Sequence, residues 1–140
     1  MYKRQVGVGP TKVTDVILVL KAYTTRVGAG PLEGELSWEE TVKRGWDEVA
    51  TVTGRRRRAA PFNFNLAKRA VMLNGATQAA VTKIDILFPE SKGATSYSDL
   101  PKKAVDFIEE IEKKIGIPVT LIGTGPGATE MVDRREEITQ

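Results

Sequence analysis

Two short, β-branched apolar runs each follow a helix-period segment and each open into a loop rich in glycine or charge. In chain order the four segments are FNLAKRAVMLNG (64–75), AAVTKIDILF (79–88), PKKAVDFIEEIEKK (101–114) and IPVTLIGTGPG (117–127). The first helix is expected to bury Leu66, Ala67, Ala70, Val71 and Leu73 and to stop at Gly75 in the left-handed conformation. The second places Ala104, Phe107, Ile108, Ile111 and Ile115 on one side, with Asp99 or Ser98 as its cap and Gly116 at its end. Each apolar run reads as a buried strand. Helix, strand, helix, strand is the order of an α/β layer with partly parallel strands, whose carboxyl ends gather ligand-binding loops. The expected fold class is therefore α/β, a fragment of a larger mixed, partly parallel sheet with flanking helices.

The N-terminal half is less regular. In TKVTDVILVLKAYTT, Val13, Val16, Ile17 and Leu20 fit a helical stripe, which predicts a helix passing into a strand near Lys21. RVGAGPLEGEL is glycine-rich and reads as an irregular loop able to approach a ligand closely. Ser37 and Glu40 have capping-box spacing before TVKRG, predicting a short helix closed by Gly45. Residues 46–61 show no sustained period and are expected to form a loop. SKGATSYSD reads as a surface loop and DRREEITQ as a solvated tail. There is no internal repeat.

Composition narrows the chemistry. With 140 residues, of which 41% are hydrophobic, one globular domain is expected. There is no cysteine and no histidine, so neither a disulfide framework nor a thiolate metal site can form, and the commonest general base is absent. Chemistry must fall to Arg, Lys, Asp, Glu, Thr and backbone amides. The opening MYKRQ matches the translation of GTG-TAT-AAG-AGA-CAG, a transposon mosaic end, so residues 1–5 are expected to be an adapter remnant. Without Lys3 and Arg4 the 21 basic residues become 19 against 18 acidic, a net of +1, which disfavours a general nucleic-acid binder. No apolar run is long enough to span a membrane, and a soluble, cytoplasmic protein is expected.

Three loops could carry chemistry. The first holds Thr51, Val52, Thr53, Gly54, Arg55, Arg56, Arg57 and Arg58. Hydroxyls, a glycine and forked guanidinium donors suit carboxylates or phosphates, although an arginine run taken alone is more often a solvated or nonspecific patch. If extended, the run sends Arg55 and Arg57 one way and Arg56 and Arg58 the other. The second is Thr82, Lys83, Ile84 and Asp85 within the first strand run. A carboxylate at a strand end can accept from the ring N–H and exocyclic amine of guanine while a lysine stem packs on the purine face; an exposed edge pair is the plainer alternative. The third, Gly123, Thr124, Gly125, Pro126 and Gly127, exposes backbone amides or simply makes a tight turn.

In order, KAYTTRVGAGP, TGRRRR, LNG, VTKIDIL, DLPKKAVDFIEEIEKKIGIPV and GTGP resemble the C-terminal part of the adenylosuccinate synthetases, from about Gly7 to Met131. The resemblance implies a GTP- and magnesium-dependent ligase. It transfers the γ-phosphoryl of GTP to the 6-oxygen of IMP, and L-aspartate then displaces phosphate to give adenylosuccinate in AMP biosynthesis. Carried over by position, Val27 would touch the IMP ribose, and Thr51, Val52, Thr53, Gly54, Arg55, Arg56 and Arg57 would form the aspartate loop. Arg55 would meet aspartate and IMP, and Arg57 would approach GTP. Lys83, Ile84 and Asp85 would hold guanine, with Gly123, Thr124 and Gly125 closing over it. Val52 and Gly123 stand where threonine and serine are usual.

The resemblance also implies a homodimer, and it places the phosphate loop, catalytic aspartate, catalytic histidine and magnesium ligands upstream of this sequence. No catalytic or metal-ligating residue is therefore expected here. The expected organisation is an adapter at 1–5, the C-terminal portion of a ligase domain at 6–131 and a polar tail at 132–140. A stand-alone guanine-nucleotide or anion-binding module without catalysis is the alternative.

Overall fold

The computed structural model describes Gly7 and residues 9–138; the reading of residues 1–5 as an adapter lies outside them. β1 (Ile17–Lys21) is followed by β2 (Thr24–Arg26), α1 (Trp38–Lys43), β3 (Arg58–Ala60) and α2 (Phe64–Asn74). Then come β4 (Gln78–Thr82), the single turn α3 (Ile84–Leu87), α4 (Lys102–Ile115), β5 (Val119–Gly123), β6 (Met131–Asp133) and the short α5 (Arg135–Ile138). The main sheet runs β1-β4-β5-β6; β1, β4 and β5 are parallel and β6 is antiparallel. β2 and β3 form a separate antiparallel pair. The architecture is mixed α/β with a mostly parallel four-stranded sheet, as the order of segments requires.

The main core lies where α2 and α4 pack on this sheet. Ala79, Val81, Val119 and Ile122 from the strands meet Ala104, Ile108, Ile111 and Ile115 from α4, together with Ala67 and Ile84. Both β4 and β5 are nearly continuous in burial, which is why they read as apolar runs rather than as alternating ones. Gly116 ends α4 at φ 78° and Gly75 ends α2 at φ 57°, the left-handed stops expected for both. The Ser37 and Glu40 capping box is present with both reciprocal hydrogen bonds.

Several expectations are corrected. Residues 17–21 are strand, not helix: Ile17 pairs with Gln78 and Lys21 with Thr82, and β-branched residues in reach of a parallel partner take the ladder over the helix. Residues 46–61 contain β3 and a bridge between Val49 and Arg56. The apolar run at 79–88 is strand only to Thr82, after which the chain turns at Lys83 into α3. On α2, Leu66 and Leu73 are exposed; the inward stripe is Phe64, Ala67 and Val71, at spacing three and four. Pro101, not Ser98 or Asp99, occupies the N-cap of α4, and it makes no side-chain cap bond. Within SKGATSYSD, Ser91 is fully buried. In the segment read as a solvated tail, Asp133 belongs to β6, and the half-buried Arg134 donates to Glu112 and to the carbonyl of Val119.

Candidate functional site

Lys83 and Asp85 sit where β4 ends. Lys83 has φ 67° and ψ 27°, and it is the one non-glycine residue of positive φ among those described. That conformation costs an ordinary residue about 1–2 kcal/mol and turns the chain sharply out of the sheet. The neighbouring parallel strand β5 ends alongside, so Gly123 and Gly125 face the same space. Thr82, Lys83, Asp85, Ile86, Pro89, Lys92, Gly123, Gly125 and Pro126 line a cavity of about 490 Å³. It lies at the carboxyl ends of parallel strands, where open α/β sheets bind ligands.

Two of the residues expected at this corner face away from it. Ile84 and Thr124 are each 0% exposed. Ile84 belongs to the core, and the Thr124 hydroxyl donates to the carbonyl of Ala94 at 2.8 Å. The Thr124 backbone is engaged as well, its N–H donating to Glu130 and its carbonyl accepting from Gly93. Thr124 therefore anchors the turn, while the glycines on either side of it line the cavity. Gly123 is not required by space, because a Cβ there would lie 3.4 Å from the Thr82 backbone, in ordinary contact. Gly125 is different: its Cβ would fall 2.5 Å from the Glu130 carboxyl, whose Oε2 accepts from the N–H of Gly127 at 2.5 Å.

The arginine run forms a hairpin. Ala50 donates to the carbonyl of Arg55, Arg57 donates to that of Glu48, and Gly54, at φ 65°, closes the turn onto Ala50. Thr51, Val52, Thr53 and Gly54 make the exposed tip, with Val52 96% exposed, and Arg55 is exposed beside them. The other guanidiniums separate by alternation. Arg56 lies 4.3 Å over the Trp38 ring. Arg58 pairs with Glu35, its Nη1 donating to the carbonyls of Gly28 at 3.0 Å and Gly30 at 2.8 Å. It thereby holds the glycine loop that carries Val27, which is 41% exposed. Arg57 points the opposite way, toward Glu48.

That direction leads to a cluster sequence reasoning missed. Glu48 accepts from the Tyr23 hydroxyl at 2.6 Å and from the Lys21 ammonium at 3.1 and 3.0 Å. Burial acts to raise the Glu48 carboxyl, but the hydrogen bonds from Tyr23 and Lys21 outweigh it and hold the group below its ordinary value. Burial lowers Lys21 despite the same pairing, and the positive charge of Arg57 and Lys83 nearby adds to the effect. Burial also pushes the Tyr23 phenol well above its ordinary value, with Glu48 and Asp85 adding to the effect. One carboxylate thus serves several cations between the arginine hairpin and the Lys83 corner. The signal in the sequence was only that Glu48 directly precedes the hairpin; its partners lie some two dozen residues away.

The hairpin and the cavity do not merge into one pocket within this chain. Of the expected site residues, Lys83, Asp85, Gly123 and Gly125 share the cavity, whereas none of residues 51–57 lines it. A larger cavity of about 630 Å³, between β2 and the start of α2, contains none of them. Among the described residues there is no group of three or more Asp, Glu, His or Cys able to hold a metal ion, and no helix long and apolar enough to cross a membrane.

Residues 2–92 and 88–132 match the sequence model of the adenylosuccinate synthetase family. The chain belongs to the adenylosuccinate synthetase family. It is 51% identical over 132 residues to an adenylosuccinate synthetase of Methanosphaera stadtmanae, covering 94% of this chain and 39% of that one. It is 52% identical over 133 residues to one of Thermococcus sibiricus, again covering 39% of the relative. The chain therefore spans about two fifths of the length of these adenylosuccinate synthetases. The fold agrees with that of a fully ligated adenylosuccinate synthetase from Plasmodium falciparum, with TM-score 0.82, 22% identity, and coverage of 94% of this chain and 42% of that one. A cyanophage S-2L succinoaminodeoxyadenylate synthetase bound to dGMP and dATP shares the fold at TM-score 0.61 and 22% identity, covering 85% of this chain and 33% of that one.

Proposed function

We propose that this chain is the C-terminal portion of an adenylosuccinate synthetase, supplying the guanine pocket and the aspartate loop for GTP-dependent ligation of IMP and L-aspartate. The observation that carries the reading is the shared cavity of Lys83 and Asp85 with the Gly123 and Gly125 turn, at strand ends, in a chain of this family. The Asp85 carboxylate has the acceptors to take both the ring N–H and the amine of guanine. Adenine offers an acceptor at the ring position and is refused, because an unpaired or repulsive contact to a charged group costs about 1.5–3 kcal/mol. Lys83, turned out of the strand, lays its stem along the purine. Backbone groups at Gly123 and Gly125 close over the base.

In the complete enzyme, phosphorylation of the IMP 6-oxygen converts it into a leaving group that the aspartate amine displaces as phosphate. Arg55 and the threonines of the hairpin tip hold the aspartate carboxylates, and Arg57 neutralises charge on the GTP phosphates. Val27, on the loop clamped by Arg58, lies against the IMP ribose. Magnesium in the complete enzyme would be held by residues outside this chain together with the GTP phosphates. This chain alone is inactive, and the homodimer belongs to the complete enzyme.

The test is calorimetric: titration of the purified chain with GDP and with ADP, repeated for Asp85→Asn. Binding of GDP but not ADP, abolished in D85N, is expected. Equal binding of both nucleotides, or GDP binding that survives D85N, would sink the guanine pocket. Adenylosuccinate formation by the chain alone would overturn the assignment of catalysis to residues outside it.

A further inference from the structure

We propose that Glu48 is a positioning residue that locks the arginine hairpin to the sheet and thereby sets the place of Arg57. The functional consequence rests on the reading of Arg57 as a nucleotide-phosphate ligand. Glu48 acts through both its backbone and its side chain. Its carbonyl accepts the Arg57 N–H at 2.8 Å, making it the base of the hairpin. Its carboxylate is held by two donors from the other side: Tyr23 at 2.6 Å and Lys21 at 3.0 Å.

Both donors are fixed. Tyr23 is 1% exposed and stacks on Trp46 with ring centroids 4.7 Å apart, so its hydroxyl cannot swing away. Lys21 is the last residue of β1, in register with Thr82, and Ala22 donates to the Thr82 carbonyl at 2.9 Å. The strand end that launches Lys83 is thus the same one that grips Glu48.

The Arg57 Nε is buried, has no hydrogen-bond partner and lies 3.8 Å from the Glu48 carboxylate. That separation is too long for a hydrogen bond and short enough for a strong charge interaction. Arg57 is therefore oriented by charge at its buried Nε, while no hydrogen bond among the described residues ties down its two terminal nitrogens. Glutamine at position 48 keeps the shape, removes the charge and leaves the half-buried Lys21 ammonium without its counter-ion.

The proposal is tested by two readouts on the full chain. The first needs no ligand: nitrogen-15 NMR of the arginine side chains. The Arg57 Nε–H is expected to be dispersed and slow to exchange, and in Glu48→Gln to approach the rate of free arginine, with partial recovery in Glu48→Asp. The second compares GTP with guanosine. E48Q should weaken GTP about tenfold, as the loss of a charge-assisted contact does, and change guanosine by less than about twofold, since Glu48 does not line the base cavity. Free exchange of the Arg57 Nε–H in the unaltered chain, or exchange unchanged by E48Q, would overturn the proposal whether or not nucleotide binds. Altered exchange together with GTP binding unchanged by E48Q would support the positioning and instead sink the reading of Arg57. If E48Q does not fold, Tyr23→Phe replaces it: the carboxylate and the ring stack stay, one donor is lost, and a smaller change in the same direction is required.

Discussion

Lys83 adopts a backbone conformation that glycine would take without strain, which sets stability against use at a single position. Lys83→Gly removes about 1–2 kcal/mol of backbone strain, offset by the roughly 0.5–1 kcal/mol that glycine's unfolded-state freedom costs. The expected outcome is a melting temperature almost unchanged or slightly raised, together with loss of most GDP affinity; calorimetry and thermal melts check the two halves. A large drop in stability would mean that the lysine stem is structural. At Glu48 and Tyr23 the protonation signs are opposite. Glu48 is held below its ordinary 4.5, so its stabilisation is full above that value and is lost as pH falls through the lower folded value. Tyr23 is raised above 10.0, so its contribution is full below pH 10 and is lost as rising pH ionises the unfolded chain first. Thermal melts from pH 3 to 11 are therefore expected to show an alkaline loss that is smaller in Tyr23→Phe, the difference isolating the phenol from Lys21, whose lowered value acts with the opposite sign.

At the scale of elements, α4 and α1 test how local signals become stability. Ile108 is fully buried between α4 and the sheet, and Ile108→Ala should cost about 2–5 kcal/mol by denaturant titration, a large share of a domain's stability. Gly116 at φ 78° has open space where a Cβ would go, so Gly116→Ala should cost only its backbone strain, about 1–2 kcal/mol. Ser37→Ala removes one arm of the capping box and should cost about 1 kcal/mol. These features were legible because each is written within a few neighbouring residues. The strand at 17–21 and the break at Lys83 were not, since local periodicity cannot see a parallel partner some sixty residues away or the burial of Ile84 beneath the sheet.

For the whole molecule, β1 forms one edge of the sheet and carries Val19 at 66% exposure, while Leu66, Met72 and Leu73 are exposed on α2. Apolar surface beside a strand edge that has no partner among the described residues favours self-association. Val19→Lys is expected to reduce light scattering of the purified chain at high concentration without lowering its melting temperature; unchanged scattering would place the sticky surface elsewhere.

By itself, the sequence determined the α/β class, the presence of the two central strands, the glycine stops and capping box of the helices and the three loops worth inspecting, because patterning, capping and glycine stops are short-range chemistry. Only the tertiary structure decided which of those loop residues meet. It placed Lys83 and Asp85 beside Gly123 and Gly125, and turned Ile84 and Thr124 inward. It also divided four consecutive arginines among Trp38, Glu48, Glu35 and solvent. The physical reason is that strand register and burial set side-chain direction over long sequence separations, and direction determines whether a charge faces a ligand, a counter-ion or water.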